Sequence, residues 1–422
     1  MRHRGAVAGE ISGAANPAGP ASNKAAWWVA AACFGCLVGE AIGTYIFTPM
    51  LKPVVAEFGW TRTQFALSGL FVSLVMMASV PAAGMLADRG RGRSVLAVGA
   101  VCLGAALYLF SRMQGLAHFY LITALMGLGV GCLGGVPTTA LISRWFDTDR
   151  GFGLGVVGLG HSVGGFLIPP VVTWITLTRG WRSAFEALSW FAWLVLVPLI
   201  LMLVRDPARP TESGGGDEAT LVGEPIAFRD GFRSATFRLL AAAMFLHIFY
   251  FSAVTVHFVA FATDVGFSPE KAASAFGILI GLGIVGRLGF GWLGDRYDPR
   301  KVMVAALGLT AVAALCLQGI ARPGVLQLFI VLQGLGVVGV QTLFGLVVGE
   351  CFGTKNVGTF LGAAMLFQVP GGVLGAILAA VSFDSLGTYI PAFALFAAGN
   401  VVAAFAIAAV QPYRPASLPA HA

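Results

Sequence analysis

One arginine stands inside an apolar run of this chain. It is Arg287, in FGILIGLGIVGRLGFGWLGDRYDPRK, Phe276 to Lys301. No acid follows it until Asp295, and Asp295 with Arg296 mark the water edge of the segment. At about 1.5 Å per helical residue, the Cα of Arg287 lies roughly 12 Å inside that edge. A charge at such depth costs about 2.5–3.5 kcal/mol on insertion scales. The chain must therefore supply a cavity and a partner. A guanidinium is a planar fork that takes a carboxylate through two parallel hydrogen bonds, so a carboxylate ligand is the expected partner. The structural alternative is an arginine that snorkels to the interface or bonds a backbone carbonyl.

Other polar residues interrupt the apolar runs. Glu40 sits near the middle of the first, in CLVGEAIGTYIF. A carboxylate at that depth is favoured to hold a proton, which makes Glu40 a candidate coupling acid, expected to pair with Arg287 when the site is empty. Its structural alternative is a hydrogen bond to a neighbouring helix. His161, in the glycine stripe GLGHSVGG, is a second proton-coupling candidate and equally a helix-contact residue. Tyr45, His247 (in FLHIFYF), Gln341 and Gln368 are candidate substrate-binding residues, each with core packing as the alternative. Glu186 and Glu350 fall near the ends of runs and read as interfacial.

The elements that position these residues are transmembrane helices. The chain has 422 residues, 57% hydrophobic and only 11% charged, against roughly 25% charged in a soluble protein. Runs of about 20 apolar residues fall at 26–49, 65–84, 94–112, 118–142, 153–177, 183–204, 238–263, 272–293, 301–321, 324–348, 357–381 and 388–410. The expected fold is an all-α membrane protein of twelve transmembrane helices in two six-helix halves, 26–204 and 238–410. Residues 205–237, with ARPTESGGGDEA, read as a cytosolic linker, and 1–25 and 411–422 as cytosolic tails. Of the 26 Lys and Arg, 18 fall on the side holding both termini, seven on the other, and Arg287 in between. That asymmetry places both termini in the cytoplasm, and the cell (inner) membrane is the expected location.

Composition also excludes function classes. The net charge of +7 is spread over short loops and forms no basic face, so nucleic acid is not an expected partner. The six cysteines lie in or at the ends of apolar runs, and no zinc spacing appears beyond Cys33-x-x-Cys36, which sits inside a helix with no second pair. No Gly-x-x-x-x-Gly-Lys-Ser/Thr is present, and no paired aspartates lie within runs. Neither a cofactor nor a metal is expected, nor is an enzyme. Energy for transport must come from gradients.

A repeat supports the two halves. Gly84-Met-Leu-Ala-Asp88-Arg89 ends the second run and Gly291-Trp-Leu-Gly-Asp295-Arg296 ends the eighth, each followed by further basic residues. Such a duplication is the expected build of an alternating-access carrier. These residues resemble the loop signature of the major facilitator superfamily, as do Arg144-Trp-Phe-x-x-x-x-Arg150-Gly and Gly180-Trp-Arg182. Phe58-Gly-Trp-Thr-Arg-Thr-Gln, with Arg287 eight residues before Asp295, is similar to the monocarboxylate porter and oxalate/formate antiporter branch. The resemblance implies that Arg287 binds the substrate carboxylate. It implies too that Asp88, Arg89, Asp295 and Arg296 gate the cytosolic side, and that Tyr45 is a cavity aromatic.

Departures from the family narrow the substrate. Aligning Asn356-x-Gly358 and Gly371-Gly372 puts Ala364 where oxalate-type relatives carry a second cation, so one carboxylate is expected rather than two. The lysine and aspartate of the animal lactate carriers' proton relay fall here at Pro49 and Gly283. The reading is a secondary active transporter of a small organic anion, a monocarboxylate, by proton symport or anion exchange. The alternatives are a facilitator-type exporter of drugs or neutral solutes and, in another class, a polytopic enzyme or sensor. The partners are the small carboxylate, protons in the symport case, and the lipid bilayer.

Overall fold

The structure is a computed structural model that describes residues 20–146, 150–206, 228–353 and 357–411. Residues 1–19, 207–227 and 412–422 of the expected tails and linker lie outside these ranges, as does Asn356. Among the described residues every element is a helix. Eleven helical stretches are long and apolar enough to cross a membrane. One of them, Arg62–Ser111, is 50 residues long and turns back at Gly90, whose φ of 76° suits glycine best. It therefore holds two spans, which makes twelve among the described residues.

We number them α1 (Lys24–Phe58), α2 (Ser68–Leu86), α3 (Gly92–Ser111), α4 (Leu116–Trp145), α5 (Arg150–Arg179) and α6 (Trp181–Leu203) in the first half. The second half holds α7 (Ala235–Asp264), α8 (Pro269–Arg296), α9 (Pro299–Cys316), α10 (Val325–Phe352), α11 (Val357–Leu386) and α12 (Ile390–Ala408). Local signals set the starts. Ser234 accepts from the Phe237 amide to begin α7, and Ser268 followed by Pro269 begins α8. Thr61 and Gln64 form a capping box on the short helix Arg62–Ala66 that leads into α2. The first span runs on past residue 49 to Phe58 despite Pro53. A short helix, Phe228–Arg233, occupies the end of the expected linker.

The two halves repeat one packing scheme. In the first, α1 lies against α5, α2 against α4, and α3 against α4 and α6; in the second, α7 lies against α11, α8 against α10, and α9 against α10 and α12. Matched glycines allow the closest crossings. A Cβ at Gly160 would strike the Phe34 carbonyl between α5 and α1, and one at Gly375 would strike the Phe249 carbonyl between α11 and α7. Large apolar side chains such as Leu121, Met202 and Phe405 are more than 70% exposed, a surface that only lipid satisfies.

The halves meet along α5 with α8, α2 and Arg62–Ala66 with α11, and the far part of α1 with α7. Their polar bridges lie at one end, remote from the termini. Lys52 and Arg62 reach Asp264 at 2.9 and 2.6 Å. Arg62 also donates to the Tyr389 hydroxyl at 2.5 Å. Asp384 accepts from the amides of Arg62 and Thr63 at 3.1 and 2.8 Å. At the termini end, no hydrogen bond or ion pair among the described residues joins the halves. Among the described residues, the far end is closed by these bridges, and the end where α1 begins and α12 ends is unlatched.

Candidate functional site

The crossing of α1, α5 and α8 brings four of the sequence candidates together. His161 on α5 is held between two residues of α1. Its Nδ1 lies 3.1 Å from Glu40 Oε2, and its Nε2 lies 2.9 Å from the Tyr45 hydroxyl. Close approach of the two helices makes this possible, because Gly160 and Gly164 on α5 carry no side chain toward α1. With Glu40 ionised, Nδ1–H donates to the carboxylate and Nε2 accepts from Tyr45. The other carboxylate oxygen, Oε1, faces the Gly134 break of α4, 3.5 Å from where a Cβ would stand there.

Arg287 lies beside this chain. Its Nη1 is 3.2 Å from the Cβ position of Gly158, one turn before His161 on α5. The Tyr45 hydroxyl lies within the fields of both Glu40 and Arg287. Arg287 is exposed, and no acid among the described residues lies within ion-pair distance of it. The expected Glu40–Arg287 pair is therefore not formed: His161 stands beside Glu40 and takes its carboxylate. A side chain at Gly283, where lactate carriers hold their aspartate, would meet Val338 at 2.6 Å, so α10 leaves it no room.

The remaining candidates are placed differently. His247 is fully buried within the second half, away from the Glu40–His161–Tyr45 chain. Its ring nitrogens have no partner in hydrogen-bond geometry and face Asn400 and the Val337 carbonyl at longer range. Gln341 on α10 is exposed and Gln368 on α11 half-buried, and neither bonds to the Glu40–His161–Tyr45 chain. Ala364 is 1% exposed in the core of the second half, so that position does not face the cavity. Asp88, Arg89, Asp295 and Arg296 are all exposed at the unlatched end. Arg144 donates to the carbonyls of Ala87 and Asp88, and Arg296 lies 4.3 Å over the Trp292 ring.

Two polar clusters were not foreseen. At the far end, Tyr389 links Arg62 to His257, whose Nδ1 is 3.1 Å from the hydroxyl and whose Nε2 donates to the Ala376 carbonyl at 2.9 Å. At the termini end, Arg300 joins Asp298 and Glu350. Burial pushes the Asp298 carboxyl up, but its hydrogen bonds from Arg300 prevail and hold it below its usual range.

Two six-helix halves, bridged at one end and meeting around a charged cluster, make the fold of a membrane transporter. The Major Facilitator Superfamily model matches residues 33–296 and 285–422, and the chain belongs to that family. It is 26% identical over 389 residues to the uncharacterised MFS-type transporter YcxA of Bacillus subtilis, covering 87% of this chain and 91% of that protein. It is 25% identical over 408 residues to monocarboxylate transporter 12 of Rattus norvegicus, covering 90% and 84%. Its fold is similar to that of a bacterial homolog of the human lysosomal transporter Spinster in an inward-facing, unoccupied conformation. That likeness has a TM-score of 0.71 at 14% identity, over 92% of this chain and 95% of the other.

Proposed function

We propose that this carrier moves a small organic anion with one carboxylate, and that Arg287 is the carboxylate's ligand. The observation that carries the reading is the guanidinium itself. It lies within a span, is exposed, and has no described acid to neutralise it. In a cavity of low dielectric a carboxylate would gain two charge-assisted hydrogen bonds there. Similarity to proteins named monocarboxylate transporters 12 and 13 supports the same class. Glu40 and His161 would carry the coupling proton, with Tyr45 fixing the imidazole, which favours proton symport over anion exchange. Gln341 and Gln368 would line the path. Asp88, Arg89, Asp295 and Arg296 would close the unlatched end when the far end opens. The Lys and Arg asymmetry supports a cytoplasmic position for that end and for both termini, in the cell (inner) membrane.

The test is uptake of radiolabelled mono- and dicarboxylates into proteoliposomes, with and without a pH gradient. Monocarboxylate uptake lost in Arg287→Gln supports the reading. A fully active Arg287→Gln, or uptake of neutral solutes alone, overturns it.

A further inference from the structure

We infer that the carried acid has a bulky, uncharged tail, ring-sized or branched, seated in the cavity between α1, α2, α4, α7 and α11. This inference rests on the carboxylate reading of Arg287. The cavity has a volume of about 310 Å³ and draws its walls from both halves. Phe47, Phe65, Met76, Val130, Val256 and Val373 make it largely apolar. Thr44, Ser68, Ser73 and Ser252 add hydroxyls, and none of its lining residues is charged. A charged tail would be desolvated there without a partner.

Position ties the cavity to the charged cluster. Gly43 and Thr44 lie one turn beyond Glu40 on α1, and Val130 lies one turn before Gly134, which Glu40 faces from the other side. The far wall is Phe65 and Ala66, in the short helix that Arg62 and Asp384 tie down. A molecule entering from the unlatched end meets Arg287 first and this cavity last.

Volume sizes the tail. At about 310 Å³ the cavity falls at the lower end of the range of small-molecule pockets, about 300–1,000 Å³, so it suits a ring-sized or branched tail. A two- or three-carbon acid would leave most of the apolar wall against water, forgoing the burial that gives such pockets their affinity. Small residues on α2 create the space. A Cβ at Gly69 meets nothing within 4 Å, so a side chain there enters the cavity without a backbone collision.

The test compares acetate and propionate with phenyl-substituted and branched monocarboxylates, by direct uptake and by competition in the wild-type protein. The expected result is that bulky acids compete at about tenfold lower concentration or less than propionate. Gly69→Leu should raise the KM for bulky acids about tenfold or more and that for propionate far less, since pocket methylenes are worth about 10- to 200-fold. Retained propionate uptake also certifies that the variant folds, and the competition order needs no variant. If wild type prefers propionate, or Gly69→Leu weakens both classes alike, the tail inference falls while the Arg287 reading stands. If no monocarboxylate is carried at all, both fall.

Discussion

Removing the Arg62 guanidinium should open the end that is closed here. Arg62 is 7% exposed, lies 2.6 Å from Asp264 and 2.5 Å from the Tyr389 hydroxyl, and stacks 3.4 Å over the Phe383 ring. Every one of these partners belongs to the other half, so the contacts exist only while that end is shut. Breaking one side of a buried pair costs about 3–5 kcal/mol. Asp264 keeps Lys52 and its side chain is 23% exposed, which trims the figure to about 2–3 kcal/mol. Arg62→Met, which keeps an apolar stem against Phe383, should therefore shift the equilibrium toward the far-open state by about 30- to 150-fold. The assay is alkylation of Ala66→Cys, with the six native free cysteines replaced, by an impermeant maleimide added on the closed side. Ala66 is 3% exposed behind the latch, so its labelling rate follows the far-open population. A rise of about tenfold or more is expected. Lys52→Met, which removes a side chain that is itself 44% exposed, should change the rate far less. An unchanged rate in Arg62→Met would refute the latch.

Two further substitutions probe the site and its scaffold. Glu40→Gln leaves His161 without its acid and should abolish the acceleration of uptake by acid on the substrate side, while substrate-for-substrate exchange continues; a pH-jump uptake series reads this directly. Gly375→Ala puts a methyl against the Phe249 carbonyl and should cost about 1–3 kcal/mol or more, seen as a lowered Tm in detergent. Gly345→Ala, where a Cβ meets nothing within 4 Å, should leave Tm near wild type.

The sequence carried its apolar runs, its Asp-Arg repeat and the isolation of Arg287 openly, because each is a local contrast between charge and hydrocarbon. The same chemistry recurs in Gly127-Leu-Gly129 and Gly334-Leu-Gly336. There, glycines lie against the Val72 and Leu279 carbonyls at matching crossings, a second repeat between the halves. What stayed hidden was partnership. Glu40 and His161 are 121 residues apart, and only the approach of α5 to α1 makes them a pair. Arg287 was the natural acid-binding cation for Glu40 by charge alone, yet a histidine on the intervening helix took that place. His247 shows the converse. A polar residue in mid-span announces its depth but not its face, and this one turns into the bundle. The far latch was missed because Arg62, Asp264 and Asp384 sit where each run meets water and read singly as solvated ends.

Equilibrium binding tests the role of Arg287 most directly, since it needs neither a gradient nor a functioning gate. Calorimetric titration of the purified carrier with a transported monocarboxylate, comparing wild type with Arg287→Gln, measures the charged hydrogen bonds alone. Such bonds are worth about 1.5–3 kcal/mol, so the expected result is a Kd weakened by about 10- to 150-fold in the variant. An unchanged Kd would contradict the assignment of Arg287 as the carboxylate's ligand.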